Sequence, residues 1–130
     1  MKRIRIVALL AGLAVDILGT ILFSIAVTVA FLAMYRRSGR PPVVELLASD
    51  TTFLVVGYIG GILFTLLGAY ITARMSRPHS VLNTLVFGVI STLLIVFFAS
   101  MYPLWYNVLC VLTIIPVSLV PGYLLARQTV

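Results

Sequence analysis

The sequence predicts an all-α fold, a membrane-embedded bundle of four transmembrane helices. Three observations lead there. Of 130 residues, 62% are hydrophobic and only 9% are charged, against about half and about a quarter in average globular chains. The apolar residues fall into four runs long enough to cross hydrocarbon, with Lys and Arg gathered at their ends. Most of the runs also lack the polar face that a water-facing helix needs.

Taken in order, the first run covers residues 4–35. Lys2, Arg3 and Arg5 followed by apolar sequence imitate a signal peptide, but the run continues to Met34, far past the roughly 7–15 residues of a signal core. It reads as a retained first helix. It exceeds the roughly 20 residues a bilayer requires and therefore tilts or extends beyond it. Residues 36–50 form the one long loop. There Pro41 and Pro42 precede Val43, Val44, Glu45, Leu46 and Leu47, which fits either a short helix along the membrane surface or an irregular loop with apolar anchors.

The second helix is expected over 52–73, capped by Ser49 or Asp50, whose acidic group suits a helix N-terminus. A short basic turn leads to a third helix over 81–100, with Pro78 near its start and Ser76 as a candidate cap. A tight turn then enters a fourth helix over 103–126. Pro116 and Pro121 lie inside it and each removes a backbone donor, which predicts a kink near 113–116 with the freed carbonyls bonded by a hydroxyl or water. The whole of 1–130 reads as one transmembrane domain.

Orientation follows from basic residues. With the N-terminus inside, Lys2, Arg3, Arg5, Arg74, Arg77 and Arg127 face the cytosol, and Arg36, Arg37 and Arg40 lie outside. Six against three places both termini in the cytosol of a multi-pass inner-membrane protein. Tyr102, Trp105 and Tyr106, with Tyr35, form an outer aromatic belt, and Tyr70 and Tyr123 sit near the inner interface. The net charge of +6 is not clustered as a nucleic-acid surface requires. Anionic lipid headgroups at Arg74, Arg77 and Arg127 are its expected partners.

Two segments repeat. Gly68-Ala69-Tyr70 to Ala73-Arg74 and Pro121-Gly122-Tyr123 to Ala126-Arg127 carry Tyr, Ala and Arg in the same order and spacing, and Gly12 aligns loosely with Gly88. Either the bundle is two related helical hairpins, a parallel repeat, or interfacial preferences alone produce the match. Helices in lipid associate through small residues. Gly57, Gly61, Thr65, Gly68 and Thr72 make such a stripe on the second helix; Ala8, Gly12, Asp16 and Gly19 make one on the first. These faces are expected to meet. The third helix is poorer in small residues, with Gly88, Ser91 and Thr92 at its middle.

Asp16 is the only acid inside a span. Roughly a dozen residues at about 1.5 Å each put it near the midplane, where a charge costs at least about 2.5–3.5 kcal/mol. One reading makes it a proton- or cation-binding carboxyl with Thr20 on its face and Thr65, Ser91 or Thr92 closing the site. The other, which the absence of a polar pathway favours, makes it a protonated hydrogen-bond clamp between helices. Asn83 is expected to bond a neighbouring helix. His79 is expected at the headgroups or in its turn, and Cys110 as a small core residue. One His and one Cys at different depths provide no metal site. No catalytic constellation and no cofactor motif is visible, so a non-enzymatic protein is expected.

The Gly68-to-Arg74 stretch, Val15-Asp16-Ile17-Leu18-Gly19-Thr20 and Pro103-Leu104-Trp105-Tyr106-Asn107 resemble a group of uncharacterised bacterial four-helix membrane proteins. That resemblance implies the architecture and no activity. Asp16-Ile17-Leu18-Gly19-Thr20 is also similar to helix one of the small multidrug resistance transporters, whose acid is usually Glu. This second resemblance implies proton-coupled export of hydrophobic cations through a dimer, with Asp16 as the shared site. The leading expectation is an accessory or scaffolding component, packed in a homo-oligomer or a larger membrane complex.

Overall fold

A computed structural model describes residues 4–128; Lys2 and Arg3, counted above for orientation, lie outside the described residues. Helix α1 runs Ile6–Arg37, α2 Val44–Leu47, α3 Thr51–Met75, α4 Ser80–Phe97 and α5 Leu104–Arg127, with a 3₁₀ turn at Ala99–Met101 before α5. Among the described residues there is no strand. Helices α1, α3, α4 and α5 are each long and apolar enough to cross a membrane, with mean hydropathies of 2.0 to 2.5. The spans begin and end within three residues of the expected bounds. The short helix α2 settles the loop in favour of a helical turn.

Burial is arranged for lipid. Only 22% to 33% of each apolar window is buried, and side chains such as Leu104, Phe97 and Val7 stand on the outside. Inside, the largest fully buried side chains include Asn83, Thr72, Thr84, Ser76, Ser80 and Ser118 beside Phe87 and Leu47. Hydrocarbon is as apolar as leucine, so nothing drives leucine inward, whereas every hydroxyl gains by finding a partner within the protein. Helices α3 and α4 form the central pair; α1 packs against both from one side and α5 from the other.

The α1–α3 contact has two halves. Towards the end that carries both termini, the backbones meet directly. A Cβ on Gly12 would lie 2.5 Å from the Gly68 carbonyl oxygen, and one on Gly68 would lie 2.6 Å from that of Gly12. The Thr72 hydroxyl donates to the Ala8 carbonyl at 3.3 Å across the same seam. Towards the loop end, phenylalanines fill what the glycines leave. The Phe64 ring lies over Gly19 and the Phe23 ring over Gly60, with the two rings 6.1 Å apart. The stripes expected to meet do meet at Ala8, Gly12 and Asp16. Gly57 and Gly61, expected in the face that meets α1, do not join it: nothing lies within 4 Å of the Gly61 Cβ position, and that of Gly57 is 3.8 Å from the Tyr106 hydroxyl of α5. The row facing α1 is Gly60, Phe64, Gly68 and Thr72, one residue in four, and Gly57 and Gly61 belong to the next row.

Several ends differ from expectation. Asp50 caps α3, accepting from the Phe53 N–H at 3.2 Å, while the Ser49 hydroxyl turns back to the Leu46 carbonyl. Ser76 does not cap α4; it closes α3, its hydroxyl donating to the Thr72 carbonyl at 2.6 Å, and α4 begins at Ser80 after His79. Helix α5 continues through Pro116 and Pro121. Nearby hydroxyls bond other carbonyls than those the prolines free: Thr113 donates to Leu109 and Cys110, and Ser118 to Ile115. The Gly12–Gly88 equivalence of the repeat is out of step in space, since Gly88 faces Ser118, the counterpart of Thr65 rather than of Gly68.

The loop is fastened to α1 through Asp50, whose carboxylate accepts from the Tyr35 hydroxyl; Arg40 lies over the Tyr35 ring, 5.8 Å from its centre. The Tyr35 hydroxyl, then the Phe53 N–H, hold the Asp50 carboxyl below its usual range. A depressed carboxyl stabilises the fold above its unfolded value, about 3.9, and loses that contribution as pH falls through the lower folded value.

Two predictions follow from the packing and the loop. Gly12→Ala should cost about 1–3 kcal/mol, the range for forcing extra atoms into a filled contact, while Gly61→Ala leaves stability unchanged; unfolding in mixed micelles measures both. Acidification below about pH 4 should free the loop, read as increased mobility of a spin label placed at Ser38, and Asp50→Asn should abolish that pH dependence.

Candidate functional site

Asp16 lies on α1 one turn beyond Gly12, and the close approach at Gly12 and Gly68 brings its side chain between helices. Gly68 makes the room: a Cβ there would lie 3.1 Å from the Asp16 Cβ and 3.0 Å from the tip of Phe87. The carboxyl is buried, 8% exposed. Its oxygens divide between two helices. The Thr65 hydroxyl of α3 donates to Oδ1 at 3.2 Å, and the Ser91 hydroxyl of α4 donates to Oδ2 at 3.3 Å. Thr20 lies one turn along α1 from Asp16.

Three helices therefore converge on one acid. Each hydroxyl can donate or accept by rotating, so the same partners satisfy a carboxylate or a protonated acid. The structure brings together Asp16, Thr20, Thr65 and Ser91 from the residues singled out in the sequence. It leaves out Thr92, whose hydroxyl donates to its own helix at the Gly88 carbonyl, 2.8 Å away. Gly12 and Gly68 hold the site's helices together; Gly19 seats Phe64 towards the loop end.

A second polar cluster lies at the terminal end, of which the sequence marks Asn83 alone. The Asn83 Oδ1 accepts the Arg5 backbone N–H at 2.8 Å, and its Nδ2 donates to the His79 carbonyl at 2.9 Å. The Arg5 guanidinium donates to the Met75 carbonyl at 3.1 Å. Ser80 donates to the Gly122 carbonyl at 3.0 Å, and Gly122 lies against Thr84. The signal was present: Ser80, Asn83, Thr84, Phe87, Gly88 and Ser91 follow three- and four-residue steps, and all are buried on α4. The third span, expected to be the poorer, is thus as rich in small and polar packing positions as the second.

Of the three headgroup candidates, Arg74 and Arg127 are exposed. Arg77 is half-buried and donates to the Gln128 side chain at 3.3 Å. Among the described residues no three His, Cys, Asp or Glu lie close enough to hold a metal ion. Comparison with protein-family models, curated proteins and solved structures gives no match, and the functional argument rests on the geometry.

Proposed function

We propose that this chain is a small non-enzymatic membrane protein, an accessory or scaffolding component that packs through α3 in a homo-oligomer or against a helix of a larger complex. In this reading both termini lie in the cytosol of the inner membrane, and basic residues at that face contact anionic lipid. The observation that carries it is the open space at Gly61. Gly57, Gly61, Thr65, Ala69 and Ala73 form a row of small residues, one in four. The last three are buried within the bundle, while the Cβ position of Gly61 meets nothing. Small residues in lipid invite close backbone approach, and Gly61, half-buried, has open space at its Cβ position.

The closure of Asp16 supports the clamp role that goes with this reading. Hydroxyls from α3 and α4 occupy it, and it lines neither of the two grooves along α5. The rival is proton-coupled export of hydrophobic cations through a dimer with Asp16 shared. What favours it is an acid near mid-membrane with hydroxyl partners and no cation beside it. It requires the helices around Asp16 to part.

Gly61→Leu should shift the protein from a larger species to a monomer in mild detergent while leaving its helix content unchanged; a wild type that is itself a monomer with no companion would sink the scaffold. For the rival, Asp16→Asn should abolish binding of a tetraphenylphosphonium-like cation with insertion intact, and unchanged binding removes it.

A further inference from the structure

Two grooves run along the terminal half of α5. One, of about 410 Å³, is lined by Pro116, Leu119, Val120, Tyr123, Leu124 and Arg127. The other, of about 470 Å³, lies between α3 and α5 and passes Leu63 and Leu67 to reach Tyr70 and Gln128. Both grooves include Val120 and Leu124. These two, one turn apart and exposed, form a ridge between them.

Each groove is apolar along its length and polar at the same end. Tyr123 and Arg127 belong to the first, Tyr70 and Gln128 to the second. Arg74 follows Tyr70 by one helical turn, as Arg127 follows Tyr123, and all four are exposed. The repeated Tyr-x-x-x-Arg of the sequence thus sets a tyrosine on each groove and a cation one turn nearer the membrane surface. The side-chain carboxylates of the chain are elsewhere: Asp16 is buried inside the bundle, and Glu45 and Asp50 lie at the loop end.

We propose that these paired grooves hold the two acyl chains of one anionic diacyl phospholipid, straddling the Val120–Leu124 ridge, with its phosphate on Arg127 and Arg74. Two tails joined at one charged head match two apolar grooves that share a wall and turn basic at one end. Guanidinium groups bind phosphate through parallel N–H donors, and tyrosine suits the boundary between chain and headgroup. Arg77 is half-buried and donates through one nitrogen to Gln128, whose side chain lines the polar end of the second groove. The site rests on the reading of basic-face lipid contact above and adds to it a place, a stoichiometry and a lipid class.

The test reconstitutes the full chain in vesicles of zwitterionic phosphatidylethanolamine and anionic phosphatidylglycerol, then extracts it gently for native mass spectrometry. The wild type should retain phosphatidylglycerol in preference. Arg74→Gln with Arg127→Gln should lower that preference roughly thirtyfold, the effect of two surface cations. Arg36→Gln with Arg37→Gln, an equal loss of charge at the loop end, should leave it unchanged, and Val120→Trp should reduce retention of both lipids. Equal loss in the two charge variants, or none in the first, overturns the site. Disulfide-linked dimers of Val120→Cys in the membrane overturn it too, by placing a second copy of the chain there. A wild type that keeps neither lipid removes the lipid-contact reading itself, a different result from a wild type that keeps both alike.

Discussion

The backbone contact between Gly12 and Gly68 is the constraint on which the other helices depend. Without side chains at these two positions, α1 and α3 come close enough for the Thr72 hydroxyl to reach across to Ala8 and for Asp16 to enter the space beside Gly68. Water would drive leucines together whatever their fit; lipid does not. Cohesion must then come from close contact and from hydrogen bonds whose alternative is an unsatisfied group in hydrocarbon. That explains a core in which Ser, Thr and Asn outnumber the large apolar side chains among the most deeply buried.

The same logic shows what the sequence made legible. Span number and length follow from apolar run lengths, because hydrocarbon thickness is a fixed external measure. The acid, its hydroxyl partners on α3 and α4, and the meeting faces of α1 and α3 follow from residue type and from three- and four-residue steps. Local ends were harder to read. Ser76 looks like an N-cap because Pro78 follows it, yet its hydroxyl is committed backwards to Thr72. Both uses of a serine are chemically ordinary, and tertiary packing chooses between them.

Gly60 and Gly61 illustrate a deeper limit. They are neighbours in sequence but point about 100° apart around the helix, so a one-residue error moves a packing position into lipid. A stripe of Gly57, Gly61, Thr65, Gly68 and Thr72 fits one broad face equally well from sequence. Only the position of α1 decides that its row is Gly60, Phe64, Gly68 and Thr72. The partner's path is non-local information, and one helix's spacing does not contain it.

The bundle is also unequal along its axis, and this separates its surfaces. At the terminal end, Arg5 is tied to Asn83 and Met75, Ser80 to Gly122, and Arg77 to Gln128, so all four spans are joined there. Towards the loop end, phenylalanines stand between α1 and α3 in place of direct backbone contact, and α3 meets α5 through the Tyr58 and Tyr106 rings, 6.5 Å apart. A helix pair held by rings leaves more space than one held by glycines, which is why the small-residue row on α3 is filled at Ala69 and Ala73 and empty at Gly61. The closed end carries Arg74, Arg127 and the grooves of α5; the looser half carries the open space at Gly61. Lipid and a further helix therefore need not compete for this protein, because they would occupy different depths of the membrane.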